Sequence, residues 1–225
     1  MSDKKEKKTS TTSTSTTKKP NKCLLIVNFF NGVQVLTWLI TFCLITTYIA
    51  SIYIPYPQLN EHSQKLLELL IIFVKIAQTA QISDFILALC GCSNNQALFS
   101  FIQVGARLIT VYFFMNQQTP VWLFGMMLIP WSIGDTVRPL YNLIKDNYTL
   151  AWLRYTLFMI NYPIGASGEV ILMELRLKED DFKQFEYPIR VLQVLTMLGM
   201  IYLYTYLLSQ RKKTLKALNE KEKGN

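Results

Sequence analysis

The amino-acid sequence predicts an all-α membrane protein, a six-transmembrane-helix bundle with both termini cytosolic. Three observations carry that expectation. Half of the 225 residues are hydrophobic (51%) and the mean hydropathy is +0.22 despite two charged ends, more apolar surface than a soluble core of this size needs. Six apolar segments each meet or approach the roughly 20 residues that cross about 30 Å of hydrocarbon. The basic residues are concentrated in the two tails.

Residues 1–22 combine lysines with a Ser/Thr run at 9–17 and hold no large apolar side chain beyond Met1. Nothing there can offset the entropy of ordering, so a disordered cytosolic tail is expected. The next run, 24–49, is long enough to span and lacks a small-residue cleavage site, so it reads as a first helix and not a secretory signal. Further spans are expected at 67–90, 97–115, 121–140, 149–171 and 188–209, giving a membrane domain over 23–210 and a second basic tail over 211–225. Two of these spans are loaded with polar groups: Glu68, Lys75, Gln78, Gln81 and Asp84 in one, Asp135 and Arg138 in the other. Such helices persist when their polar side chains face one another, which points to one compact bundle with a polar interior.

Orientation follows from charge. Seven lysines precede the first span and six Lys/Arg follow the last, so 13 of the 23 basic residues lie in the tails. An even number of spans puts both tails on one side, and the positive-inside rule makes it the cytosol. Arg138, Lys145 and Arg154 then flank the cytosolic connection between the fourth and fifth spans, and the acidic 175–187 loop faces the lumen. The net charge of +8 is a topology signal that also suits contact with anionic lipid. Without a helical basic stripe and stacking aromatics, it does not describe a nucleic-acid binder.

The four cysteines, Cys23, Cys43, Cys90 and Cys92, sit in spans or at their cytosolic ends, so no disulfide framework is expected. Cys90 and Cys92 are too close together for a usual zinc pair and lack partners. A single histidine, His62, leaves little from which to build a histidine triad or metal centre. Phosphate-binding glycine loops and a Cys-x5-Arg loop are also missing. Lys221 and Lys223 stand five and three residues from the carboxyl end, the spacing of a dilysine retrieval signal, which points to the endoplasmic reticulum membrane.

The most informative stretch is 152–174, where Glu169 sits inside an otherwise apolar span. An ionisable group there costs several kcal/mol unless it faces a protein interior or wet cavity, so it marks a functional site. Tyr162 lies seven residues earlier, two turns away on the same face, so phenol and carboxyl can reach one ligand. On chemistry alone, a buried carboxyl and a phenol form a competent acid–base pair. The alternative is an interfacial aromatic plus a packing-level polar contact. Pro163 removes a backbone donor, and Gly165 and Gly168 allow an acyl chain or a helix to approach closely.

Trp152-Leu-Arg154-Tyr155 followed by Tyr162-Pro-x-Gly165-x-x-x-Glu169 resembles the 3-hydroxyacyl-CoA dehydratase family, the protein-tyrosine-phosphatase-like proteins of very-long-chain fatty acid elongation. Further matches run through Val74-Lys75, Gln78, Gly91, Gln103-Val104, Arg107, Trp131-Ser132 and Arg138, so the resemblance covers about 24–209. It implies a six-span bundle with Tyr162 and Glu169 as the catalytic pair, and a very-long-chain (3R)-3-hydroxyacyl-CoA dehydratase that forms trans-2-enoyl-CoA. Glu169 is then the base and Tyr162 the donor to the departing hydroxyl, or the reverse. Asp84 and Asp135 stand where the family has glutamates, and Pro139 where it has tyrosine.

No metal or separate cofactor is expected, coenzyme A being part of the substrate. Arg138, Lys145, Arg154 and Tyr155 are candidates for holding it, and Asp84, Gln103, Arg107 and Asp135 for a polar interior network in which Arg107 pairs with Asp84 or Asp135. Expected partners are the acyl-CoA, membrane lipid and other elongation-cycle enzymes. A non-catalytic scaffold of that complex or a small secondary transporter is the competing reading; the first is opposed by the intact pair, the second by the lack of a 3+3 repeat.

Overall fold

The computed structural model describes residues 21–54, 62–92, 97–144 and 147–223, and among them the chain is all-helical. Eight α-helices follow in order: α1 (Asn21–Tyr53), α2 (Ser63–Ala80), α3 (Ile82–Leu89), α4 (Ala97–Ile109), α5 (Val121–Leu143), α6 (Tyr148–Leu177), α7 (Asp180–Lys183) and α8 (Glu186–Lys223). Four of the six expected spans lie within single helices, 67–90 is divided between α2 and α3, and 97–115 runs from α4 through a π turn to Met115. Among the described residues, Cys23–Tyr53, His62–Leu89 and Glu186–Lys216 are the three helical segments long and apolar enough, by length and composition, to cross a membrane. The tail at 1–20, Lys145 and the chain end that sets the dilysine spacing lie outside the described residues.

The central stave is α5, which packs on α1 along one side and α6 along the other. Leu123, Phe124, Met127, Leu128 and Trp131 fill both contacts. They recur every three or four residues, so they cover two adjoining stripes of one helix. Opposite them, α1 offers Trp38, Ile45 and Tyr48, α2 offers Leu67, Leu70, Val74 and Ala77, and α6 offers Leu172 and Met173, all buried. The Tyr48 and Phe124 rings meet edge to face at 6.3 Å. Apolar side chains also cover the outward faces, with Leu25, Phe29 and Leu36 well exposed. Between a core and a lipid surface of equal apolarity, helices are held by close packing and polar contacts more than by release of water.

Close approach of α5 and α6 depends on glycine. A Cβ on Gly168 would lie 2.5 Å from Met127 Cγ, and one on Gly165 would lie 3.0 Å from the Trp131 indole nitrogen. Sequence reading left open whether an acyl chain or a helix uses that space. A helix does.

Two interruptions shape the other wall. At Gln81 the second segment breaks: the Gln81 N–H turns back to the carbonyls of Gln78 and Thr79, and Ser83 Oγ donates to Ala80 O at 2.7 Å. After Ile109, α4 widens into a π turn, Thr110–Phe114, closed by the Met115 N–H on Thr110 O at 3.0 Å. Such turns occur inside α-helices mostly at functional positions.

Of the polar groups in the spans, Asp84, Asp135 and Arg138 face one another and Arg107, whereas the amides of Gln78 and Gln81 are buried without a hydrogen-bond partner among the described residues. Arg107 on α4 pairs with Asp135 on α5, and Arg138, one turn further on, donates to Asp84 on α3 at 2.6 Å while lying 4.0 Å from Asp135. Gln34 on α1 completes the row, donating to Asp84 Oδ1 at 2.9 Å and Ser83 Oγ at 3.2 Å. Two aspartates and two arginines alternate, and both aspartates are buried. The aspartates still reach their arginines although they are a methylene shorter than the glutamates of the resembled family.

One expectation is overturned. Cys23 and Cys92 form a disulfide, with their Cα atoms 5.3 Å apart across 69 residues. α1 and the α2/α3 segment run antiparallel, which brings the start of one beside the end of the other. Sequence spacing carries no trace of that pairing. Cys43 and Cys90 are free.

Gly168→Val should lower thermal stability in detergent by about 1–3 kcal/mol, whereas Gly32→Ala, whose new Cβ would meet nothing within 4 Å, should leave the melting temperature in place. Asp135→Leu strands Arg107 and should cost about 3–5 kcal/mol. The double variant Arg107→Met/Asp135→Leu should recover most of that stability, measured by the same melts.

Candidate active site

One face of α6 lines a cavity. Arg154, Tyr155, Phe158, Asn161, Tyr162, Gly165, Ala166 and Glu169 follow one another at intervals of one or three residues, which keeps them on one side of the helix. α8 presents a matching stripe through Leu192, Leu195, Thr196, Gly199, Leu203 and Tyr206. α4 and α5 supply the remaining walls. The cavity volume is about 720 Å³, within the range of small-molecule and cofactor sites.

Tyr162 and Glu169 both open onto this cavity. Seven residues separate them, a rise of about 10 Å, with Gly165 and Ala166 between them on the stripe. The Tyr162 ring stacks on Phe158, centroids 4.6 Å apart and planes at 27°, which fixes the direction of the phenol. Glu169 is 6% exposed. Its hydrogen-bonding neighbour is the indole of Trp131, and Arg107 is a charged neighbour of both the phenol and the carboxyl.

The electrostatics single out Glu169. Asp84 and Asp135 are each neutralised by an arginine, whereas Glu169 forms no ion pair among the described residues. Arg107 is held by Asp135 and lies over the Trp131 ring, 4.8 Å from its centroid. The carboxyl therefore has a cation nearby that is already committed elsewhere. A carboxylate placed this way can exchange a proton without collapsing into a salt bridge.

Of the other sequence candidates, Gln103, Arg107, Asp135, Arg138, Arg154 and Tyr155 line the cavity and Asp84 stands behind it, bonded to Arg138. Arg138 thus belongs to the charged row as well as to the wall. Arg154 lies at the end away from Glu169, 5.1 Å from the centre of the Tyr141 ring and 5.5 Å from that of Tyr155, with Nη1 donating to Asn142 Oδ1 at 3.5 Å. Fifteen residues of α6, about 22 Å, separate it from Glu169. Among the described residues no group of three or more His, Cys, Asp or Glu is placed to hold a metal ion.

Sequence reading assigned no role to Trp131 or Arg176. A tryptophan in the middle of a span, away from the interfacial belts where Trp collects, was the available signal for the first. Arg176 is 3% exposed and ties the far end of the bundle together. It donates from Nε to Phe114 O at 2.7 Å and from Nη2 to Thr119 Oγ1 at 2.9 Å, and it also bonds Asn116 and Glu179. Its partners are 57 to 62 residues away along the chain, with Glu179 the local exception, so no local pattern revealed them.

Comparison with known proteins places the sequence in a family. The chain is 32% identical over 165 residues to the very-long-chain (3R)-3-hydroxyacyl-CoA dehydratase hpo-8 of Caenorhabditis elegans, covering 63% of this chain and 76% of that protein. It is 30% identical over 155 residues to a probable very-long-chain (3R)-3-hydroxyacyl-CoA dehydratase of Schizosaccharomyces pombe, covering 62% and 72%. With the PASTICCINO 2 dehydratase of Arabidopsis thaliana the identity is 27% over 166 residues, covering 63% and 75%. No solved structure matches. The family model for protein tyrosine phosphatase-like protein, PTPLA, matches residues 78–217, a stretch holding the cavity pair, the charged row and Arg154, and the chain belongs to that family.

Proposed function

We propose that this protein is a very-long-chain (3R)-3-hydroxyacyl-CoA dehydratase, an integral-membrane hydro-lyase of fatty acid elongation. The observation that carries the reading is the cavity pair: Tyr162 and Glu169 on one stripe of α6, with Glu169 in no ion pair among the described residues while Asp84 and Asp135 are bound to arginine. The relatives' names supply the substrate class.

In the reaction, Glu169 removes a proton from C2 of the thioester. The electron pair of that C–H bond becomes the C2=C3 double bond as the C3–O bond breaks, and the oxygen leaves as water with the proton of Tyr162. Proton transfer from the Glu169 carboxylic acid to the Tyr162 phenolate then restores both groups, so one hydroxyacyl thioester gives one enoyl thioester and one water. Arg107, beside both groups, offsets negative charge developing on the thioester oxygen. Arg154, with Tyr155 beside it, receives the phosphate-bearing end of coenzyme A, which enters as part of the substrate.

The charge asymmetry supports six spans with both tails cytosolic, which puts the Arg154 end on the cytosolic side where acyl-CoA is available. The dilysine spacing of Lys221 and Lys223 supports the endoplasmic reticulum, in the company of the other elongation-cycle enzymes.

Glu169→Gln is nearly isosteric and should keep the bundle folded while lowering turnover of 3-hydroxyacyl-CoA by about 10²–10⁴-fold. Tyr162→Phe keeps the stacked ring and should lose most of kcat with little change in KM, since the hydroxyl acts in the transition state. Purified variants assayed for enoyl-CoA at saturating substrate test both, and near-normal turnover in either removes that residue from the mechanism. For topology, a protease site appended after Asn225 should be cut from outside sealed microsomes. Its protection would invert the bundle or change the span count.

A further inference from the structure

The cavity opens to the outside along one side. Ile109 on α4 and Leu195 on α8 both line it, yet they are 38% and 59% exposed. A residue that faces a cavity and the outside at once forms a rim. The two belong to helices that do not close on each other: α8 packs chiefly on α6, while α4 leans on α3 and α2. Nearer the Arg154 end, Phe101 and Ile102 of α4 repeat the pattern, lining the cavity while 56% and 51% exposed. The gap between α4 and α8 is therefore an elongated slot, apolar on both edges, in a bundle whose outer surface is also apolar.

The slot reaches the level of the reacting pair. Gln193 Nε2 donates to Val170 O at 3.4 Å, so the start of α8 runs beside the Glu169 turn of α6. Leu195 then stands across from Glu169, and Ile109 is two residues beyond Arg107.

A pantetheine arm running from Arg154 to the pair follows the length of α6, so the chain beyond the pair needs a second path, and the slot, apolar on both edges, is continuous with the cavity at that level. We propose that the acyl chain beyond C3 leaves the bundle sideways through the α4/α8 slot, between Ile109 and Leu195, and lies in the lipid, so that no end wall sets an upper limit to chain length. This rests on the dehydratase reading for the identity of the substrate.

The test narrows the slot. Ile109→Trp and Leu195→Trp place bulk on exposed rim positions that hold no ion pair and take no part in the chemistry. In the full-length protein in lipid nanodiscs, each should lower kcat/KM for a 3-hydroxyacyl-CoA of twenty or more carbons by tenfold or more. Turnover of 3-hydroxybutyryl-CoA, whose chain ends at the pair, should change less than twofold. Equal losses on both substrates, or none on either, would overturn the slot. A second measurement needs binding only: a twenty-carbon 3-hydroxyacyl-CoA carrying a diazirine near mid-chain, photolysed on the Glu169→Gln protein, should label the α4 and α8 rims or adjacent lipid. Adducts confined to α5 and α6 would place the chain inside the bundle and overturn the proposal. If the wild-type protein dehydrates none of these thioesters, the functional reading fails, and the labelling still reports whether an acyl chain occupies the slot.

Discussion

The alternation of Asp84, Arg138, Asp135 and Arg107 is the constraint on which the rest of the bundle depends. Each charge alone would be too costly to keep in an apolar interior, and each is tolerated because a neighbour of opposite sign stands within reach. The row joins α3, α4 and α5, and Gln34 extends it to α1. It also sets the register of helices that smooth apolar faces would let slide, since a displacement of one turn would break every pair together. Through Arg107 and Trp131 the same row reaches the cavity, so the groups around Glu169 are positioned by contacts that also hold the bundle together.

Glu169 takes its character from that arrangement. The two aspartates thus keep the arginines occupied, and the carboxylate on α6 is left facing the cavity with an indole beside it. At the opposite pole of the bundle, Arg176 gathers the turn after α4 against the end of α6, and so limits how far α4 can swing from the cavity.

What was legible in the sequence is what a single helix encodes. Tyr162 and Glu169 share a face because they are seven residues apart, and that follows from helix geometry wherever the helix goes. The interior pairing of Arg107 with Asp135 was legible as one of two choices, because a buried charge demands a partner without saying which. The Cys23–Cys92 bond, the Trp131–Arg107 stack and the Arg176 knot were not legible. Each joins residues that are close only after helices pack, and none leaves a periodic mark. The break at Gln81 and the π turn after Ile109 were hidden for a related reason: their residues read as ordinary helix formers, and it is tertiary contact that decides where the backbone departs from regularity.

The single-sided attachment of α8 has a consequence for how the protein responds to its surroundings. Only 6% of its most apolar window is buried inside the fold, against 28% for α1 and 39% for the segment that contains α2 and α3, yet it forms a whole wall of the cavity. Its 38 residues extend about 57 Å, well beyond the hydrocarbon thickness, so its tilt answers to the bilayer as much as to the protein. A thicker or thinner membrane would therefore bear on this cavity first through its α8 wall, while the charged row joins the α4 and α5 walls to each other.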